Sequence, residues 1–376
     1  MKKIKLLVAF GTRPEAIKMC PLIKELLKRE NICAKIVFTG QHRAIADEVM
    51  SLFGITPDYD MNIMKDSQTL FDITGNILSK AREILQTERP SGVLVHGDTT
   101  TAFAVSLAAF YMGIPVYHVE AGLRSHNMKA PFPEEFNRRA ISLMSDMHFA
   151  PTHTAAENLI HEGISHTNVS ITGNTVIDAL KYTLCEEYDS PYISNGEERI
   201  IFLTAHRRES IGKALENMLL AVKDIVYSYS DVRVIYPVHP NPKIKRIAKD
   251  VLGDCERVTL CPPLGVVDCH NIMARSYILL TDSGGIQEEA AALGKPVLIM
   301  RELTERPEGI LSGVAKLSGT DRYQIVATAK ELLDNPQLYA KMCTSKNPYG
   351  DGSASVQITD AICKKLHLSA QLLTHE

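Results

Sequence analysis

The chain is poor in the features that would send it to a membrane, a nucleic acid or an oxidising compartment. None of its apolar runs is long enough to span a bilayer. Met1-Lys-Lys-Ile-Lys followed by Leu6 to Phe10 imitates a secretory leader. The apolar part is too short, however, and Gly11-Thr-Arg-Pro-Glu is no cleavage site, so a first buried strand is expected. A formal net charge of -3 excludes a general basic surface for nucleic acid or anionic lipid and leaves only local positive sites. The 8 cysteines are scattered without a Cys-x-x-Cys pair, which argues against a disulfide framework or zinc site and for reduced thiols at a cytoplasmic address. Histidines and carboxylates lack short metal-ligand spacings, so no metal is expected. Repeats and low-complexity tracts are missing too.

What is present is a regular alternation of short apolar runs and helical patterns over 376 residues, enough for two domains with substantial cores. The alternation predicts α/β architecture with parallel sheets. The clearest unit is Tyr277 to Leu280 as strand, Thr281-Asp-Ser-Gly-Gly285 as turn, Ile286 to Leu293 as helix, and Val297 to Met300 as the next strand. Gly284 and Gly285 would let a ligand approach the backbone, and the first helical amides would favour an anion. Glu288 or Glu289 could then accept from a ribose diol. A plain turn with Ser283 as helix cap is the alternative. Pro14 suits the start of a helix after Ile4 to Phe10, and Pro21 is expected to kink that helix.

In open parallel sheets ligands sit beyond the carboxyl ends of the strands. Those ends carry Gly11-Thr-Arg13, Gln41-His-Arg43, His96-Gly-Asp98, His118-Val-Glu120, His206-Arg-Arg208, His239 and Ser283-Gly-Gly285. Turns and caps do not require so many histidines, arginines and isolated carboxylates. Asp98 could be a helix cap, and Glu134 and Glu135 suit a helix N-terminus in any case. Glu120, between an apolar strand and Ala-Gly, must be paired, desolvated or open to a cleft. His206 beside two arginines fits a polyanion. Arg13 fits one as well, and Arg301 or Arg306 could reach phosphates. Lys18 could be ordinary surface. The expected geometry is a cleft between two domains.

Nine stretches in order then resemble the non-hydrolysing UDP-N-acetylglucosamine 2-epimerases: Gly11-Thr-Arg-Pro-Glu-Ala-Ile-Lys-Met19, His96-Gly-Asp-Thr-Thr-Thr101, His118-Val-Glu-Ala-Gly-Leu-Arg124, Pro133-Glu-Glu135, Ile171-Thr-Gly-Asn-Thr-Val-Ile-Asp178, His206-Arg-Arg-Glu209, Thr281-Asp-Ser-Gly-Gly-Ile-Gln-Glu-Glu289, Thr304-Glu-Arg-Pro-Glu308 and Asn347-Pro-Tyr-Gly-Asp-Gly352. The resemblance implies two Rossmann-like doubly wound domains in a GT-B-like arrangement with the active site in an interdomain cleft. The first would span 1–172 and be joined by a C-terminal helix 354–376; the second, UDP-binding, would span 173–353. It implies reversible C2 epimerisation of UDP-N-acetylglucosamine to UDP-N-acetylmannosamine through a glycal, with a UDP-sugar as partner, a homodimer, and neither cofactor, nucleic acid nor membrane. Hydrolysing epimerase, glycosyltransferase and a non-enzymatic nucleotide-sugar sensor are the alternatives.

Carried over residue by residue, the catalytic groups are Asp98, Glu120, Glu134 and His206, and the substrate contacts are Arg13, Lys18, Ser283, Gly284, Gly285, Glu289 and Arg306. Some members bind a second UDP-N-acetylglucosamine as activator, and Gln41, Glu134, Arg207 and His239 match that site. Ala44, Ser67 and Lys129-Ala130 depart from it. Substrate activation is therefore expected to be weak, absent or built differently.

Overall fold

The computed structural model describes residues 3–40, 43–64, 68–193, 196, 198–207 and 210–373. The chain forms two compact units, Met1–Tyr182 with Gly350–Glu376, and Thr183–Tyr349.

The first unit begins β1 (Ile4–Phe10), α1 (Arg13–Leu27), β2 (Ile32–Phe38), α2 (Arg43–Leu52), β3 (Tyr59–Asp60), α3 (Leu70–Glu88) and β4 (Gly92–His96). It continues α4 (Thr100–Tyr111), β5 (Val116–Val119), α5 (Glu134–Met144), β6 (Met147–Ala150), α6 (His153–His161), β7 (Val169–Ile171) and α7 (Thr175–Thr183). Among the described residues the sheet has the order β3-β2-β1-β4-β5-β6-β7, and every pairing is parallel. Its strands are buried on both faces: Leu7 and Ala9 of β1 share a core with Ile77, Ala81 and Leu85 of α3 and with α4, while Leu6, Val8 and Phe10 are equally buried. Helix α1 opens on a capping box, in which Thr12 Oγ1 accepts from Glu15 N and Glu15 Oε2 accepts from Thr12 N. It then runs on through Pro21.

The second unit is β8 (Arg199–Thr204), α8 (Lys213–Ser228), β9 (Val232–Pro237), α9 (Pro242–Leu252), β10 (Val258–Cys261), α10 (Val266–Arg275) and β11 (Ile278–Thr281), followed by α11 (Gly284–Ala292), β12 (Val297–Ile299), α12 (Pro307–Leu311), β13 (Ala315–Leu317), α13 (Arg322–Asp334) and α14 (Pro336–Cys343). Its described strands run β10-β9-β8-β11-β12-β13, again parallel throughout. Ile201, Leu203 and Ala205 pack with Leu215, Met218 and Leu219 of α8 and with Ile325 and Ala329 of α13. Helix α15 (Ala354–Leu373) then returns to the first unit. There Asp178 of α7 accepts from Ser355 N at 2.8 Å and Ala354 N at 3.2 Å, and Asp360 accepts from Arg29 at 2.8 Å.

The sequence boundary at 172/173 is displaced by this division. Helix α7 stays with the first unit, because Asp178 is bonded to the start of α15 and Tyr182 packs on Phe53 with ring centroids 5.0 Å apart. The sequence alone does not announce the two-residue strand β3 or helices α2, α3, α7, α9, α10, α12 and α14.

Candidate active site

Both sheets reverse direction of winding at one place, between β1 and β4 in the first unit and between β8 and β11 in the second. The chain leaving the carboxyl ends of these strand pairs frames a crevice where ligands bind in such folds. In the first unit the flanking turns are Gly11-Thr-Arg13 and Gly97-Asp-Thr99. Buried Glu15 ties them together. Its Oε2 accepts from Gly11 N at 3.0 Å and from Thr12 N and Oγ1, each at 2.8 Å, and its Oε1 accepts from Thr99 Oγ1 at 2.7 Å. Burial pushes the Glu15 carboxyl above its ordinary range, against the bonds from Thr99, Thr12 and Gly11. Arg13 is the first residue of α1.

Glu120, just past β5, has φ +60. That left-handed backbone is uncommon for a residue with a side chain and is a feature of constrained sites. Glu120 Oε2 accepts from Asn174 Nδ2 at 2.6 Å, is paired with Lys18 Nζ, and lies 3.7 Å from His96 Nε2. Lys18 is therefore no surface lysine. A Cβ on Gly97 would come within 3.6 Å of Glu120 Oε1, so the turn carrying Asp98 passes beside this carboxylate. Asp98 in turn is bound from α5: Arg138 donates to Oδ2, and Asn137 Nδ2 donates to its carbonyl at 2.9 Å. Glu134 is the first residue of that same helix. Its neighbour Glu135 is fully buried, taking Ser125 N at 2.9 Å and facing Arg138 Nη1 at 3.4 Å, which makes it structural.

His96 and His118 are buried below these turns. Burial pushes the imidazole of His96 down to about 4, against the attraction of Glu120. It pushes His118 down to about 3, with His148 adding to the effect. Both rings are neutral near pH 7. His118 Nε2 meets Gly97 O at 2.7 Å, and since a carbonyl only accepts, that nitrogen carries the hydrogen. His118 thus supports the turn and does not itself face a ligand.

In the second unit the crevice is lined by Ala205-His-Arg207 and Asp282-Ser-Gly-Gly285. Helix α11 starts at Gly284, so both glycines belong to its first turn. Ser283 occupies the cap position but makes no side-chain cap bond, which removes the plain-cap alternative. A Cβ on Gly284 would lie 2.3 Å from Arg306 Nη1, so only glycine leaves room for this guanidinium at the helix start. Arg306 Nε is held by Glu288. Glu305 collects three guanidiniums: Arg207 at 3.0 Å, Arg306 at 3.5 Å and Arg301. Burial alone would raise this carboxyl, but Arg306, Arg207 and Arg301 outweigh it and hold it down to about 2. Glu289 lies 3.4 Å from His270 Nε2, and His270 Nδ1 meets Thr183 Oγ1 at 2.7 Å.

His206 is exposed and stacks on His239, with centroids 5.6 Å apart and planes 10° apart. Burial, with His206 nearby, lowers the affinity of the His239 ring for a proton. The backbone amides of His206 and Arg207 both donate to Asp282 Oδ2 at 2.8 Å. The arrangement offers an anion the start of α11, guanidiniums and an imidazole, groups that suit a diphosphate.

The sequence profile of the family described as UDP-N-acetylglucosamine 2-epimerase matches residues 24–363. The chain belongs to the UDP-N-acetylglucosamine 2-epimerase family. It is 51% identical over 363 residues to the UDP-N-acetylglucosamine 2-epimerase of Bacillus subtilis, covering 96% of each chain. Its fold matches the crystal structure of a putative UDP-N-acetylglucosamine 2-epimerase from Listeria monocytogenes with a TM-score of 0.94 at 47% identity, over 97% of both chains. The Neisseria meningitidis UDP-N-acetylglucosamine 2-epimerase, solved bound to UDP-GlcNAc, matches with a TM-score of 0.92 at 45% identity, over 96% of this chain and 100% of that one. UDP-N-acetylglucosamine 2-epimerase activity follows at the level of the family.

Set against this family, the first unit gathers Asp98, Glu120 and Lys18, and brings the Glu134 helix to Asp98. The second gathers Ser283, Gly284, Gly285 and Arg306 at one turn and His206 with His239 at another. Of the candidate effector residues, Arg207 is paired with Glu305, while Gln41 lies outside the described residues, as do Ser67, Arg208 and the side chain of Ala44. Glu15, Asn174, Arg138 and Asp282 join the site only in the structure. Glu15 had a signal, the Thr12-Arg-Pro-Glu15 capping-box spacing. Asn174 and Arg138 reach their carboxylates from segments remote in sequence, where local patterns carry no information. Among the described residues no three His, Cys, Asp or Glu side chains are grouped to hold a metal ion, and no helix is long and apolar enough to cross a membrane.

Proposed function

We propose that the protein interconverts UDP-N-acetylglucosamine and UDP-N-acetylmannosamine without hydrolysis, by elimination and re-addition of UDP. Cleavage of the C1–O bond sends its electron pair to a β-phosphate oxygen, and the charge left at C1 acidifies the C2 proton. A carboxylate removes that proton to give a glycal. Return of a proton to the other face of C2 and of UDP to C1 gives the epimer. Asp98, Glu120 and Glu134 share the proton transfers. Arg13 and His206 meet the departing diphosphate, and Ser283, Gly284, Gly285, Glu289 and Arg306 hold the nucleotide. Lys18 gives Glu120 its charge partner within reach of the same ligand.

The observation that carries this reading is the setting of Glu120, in left-handed backbone with Lys18 and Asn174 on one oxygen and the Asp98 turn alongside. A carboxylate held in this way is fixed for proton transfer and has no need of a metal ion to orient it. The Neisseria relative's complex with UDP-GlcNAc supports the choice of nucleotide sugar. The test is incubation with UDP-N-acetylglucosamine alone in D2O, followed by NMR. Deuterium at C2 in both epimers with the UDP linkage intact is expected. Release of free N-acetylmannosamine and UDP would identify a hydrolase instead, and no reaction without an acceptor would point to a transferase.

The protein is also proposed to act as a homodimer. Neighbouring helices α3, α4 and α5 expose Phe71, Phe110, Tyr111, Phe136 and Leu143, more apolar surface than a solvated helix layer needs. Sedimentation at twice the chain mass, lost on Leu143→Glu, is the expected outcome.

A further inference from the structure

Asp282 directly follows β11 in the second unit, with its side chain completely buried. One carboxylate oxygen is fully used: Oδ2 accepts from His206 N and Arg207 N, both at 2.8 Å. The other, Oδ1, is buried without a hydrogen-bond partner among the described residues. An orphaned carboxylate oxygen is costly and calls for an explanation. The described donors around it are engaged elsewhere. Tyr236 Oη donates to Ala205 O at 2.8 Å. The hydroxyls of Thr204 and Thr281 bond each other at 2.6 Å, and Thr281 Oγ1 also accepts from Ser283 N at 2.9 Å. Arg207 turns its guanidinium to Glu305 at 3.0 Å. What faces Oδ1 is His206 Nδ1, 3.6 Å away.

That separation is too long for a hydrogen bond, but the imidazole is exposed and a small turn of the ring would close it. His239 is poorly placed to take over the role. Its Nδ1 accepts from Asn241 N at 3.2 Å, and its ring lies parallel to that of His206.

We propose that Asp282 is a positioning residue for His206: Oδ1 takes the Nδ1 hydrogen, fixes the ring's tautomer and orientation, and leaves Nε2 to meet the departing diphosphate. This rests on the reading of His206 as the leaving-group residue. The same carboxylate therefore sets both the backbone of the His206 turn, through Oδ2, and its side chain, through Oδ1. With the nucleotide sugar bound the ring takes a second proton from solvent, so that Nδ1–H stays on Oδ1 while Nε2–H donates to the oxygen that receives the electron pair, and the buried carboxylate behind the ring balances its positive charge. An imidazole backed by a carboxylate is better held and better able to carry that charge.

Asp282→Asn separates the two tasks. Its carbonyl oxygen can keep both backbone amides, and its NH2 then faces Nδ1 and demands the opposite tautomer. The expected result is a melting temperature and UDP affinity close to those of the native protein, with kcat lower by on the order of 100-fold and KM changed by less than about twofold. In the long-range 1H–15N spectrum of the imidazoles, the hydrogen of His206 should move from Nδ1 to Nε2. In a His206→Ala background Asp282→Asn should cost nothing further in kcat. An unchanged tautomer, or losses that simply add to those of His206→Ala, would overturn the proposal. The spectroscopic arm does not depend on turnover. A native protein that fails to epimerise UDP-N-acetylglucosamine yet carries the Nδ1 tautomer would refute the proposed reaction and leave the Asp282–His206 pair standing.

Discussion

The two units solve one architectural problem twice and fill the result with opposite chemistry. Each winds a parallel sheet outward from a central strand pair, β1 and β4 in one, β8 and β11 in the other. At the first pair the helices that begin are finished by their own side chains: Thr12 caps α1 and Thr99 caps α4. Carboxylates then project into the crevice, each held by a neighbour. At the second pair α11 begins without a side-chain cap, on glycines that make room for a guanidinium. A side-chain cap takes up one of a helix's first amides, and α11 has no such cap. The same topology thus yields one lobe of held carboxylates and one of guanidiniums around an uncapped helix start, to which the proposed reaction assigns the acid/base and anion-binding tasks.

The largest effect should come from Glu120→Gln, which attacks the carboxylate lobe alone. Turnover is expected to fall by about 10³-fold, with UDP affinity by calorimetry little changed. A matching loss of UDP affinity would erase the division of labour. Gly284→Ala is the mirror experiment. Its Cβ would sit 2.3 Å from Arg306 Nη1, and if the about 1–3 kcal/mol of overpacking falls on the nucleotide site, UDP affinity drops by roughly 5- to 150-fold.

Acid should separate the lobes next. His96, His118 and His148 are all pushed below the ordinary 6.5 by burial, to about 4, 3 and 4. The unfolded chain binds these protons first, so the first unit loses stability as pH falls from about 6.5 toward 4. Glu15 and Asp178, whose carboxyls burial raises, offset part of this at the acid end. In the second unit Glu305 is depressed from 4.5 to about 2 despite its burial, so its contribution disappears only between those values. Hydrogen exchange resolved by residue should show the first unit opening earlier on acidification. The smallest contrast is between caps. Thr99→Ala should cost about 1 kcal/mol in denaturant melts. Ser283→Ala should cost less than about 0.5 kcal/mol, the ordinary range for a substitution that removes no bond.

Much of this was readable beforehand because the decisive signals are local. Apolar runs ending in Gly, His or a carboxylate marked β1, β4, β5, β8 and β11, and the glycine pair marked the start of α11. Some legible features went unread. Ile77, Ala81 and Leu85 recur every fourth residue and are the buried stripe of α3. Others had no sequence signal at all. The two-residue β3 is defined only by pairing with β2. His118 looked like a site residue beside Glu120, but alternation along β5 turns its side chain into the sheet's interior. Asn174 on Glu120, Arg138 on Asp98 and Arg306 against Gly284 are tertiary facts, created when distant segments fold together.

The return of α15 has a consequence for the order of events during synthesis. Ala354, Ile358, Thr359 and Ile362 are buried in a helix that packs on α1, near the other end of the chain. A ribosome has delivered every residue of the second unit before it makes the helix that seals the first. Until then the nascent amino-terminal half must wait with an apolar flank uncovered, although its sheet was translated earlier.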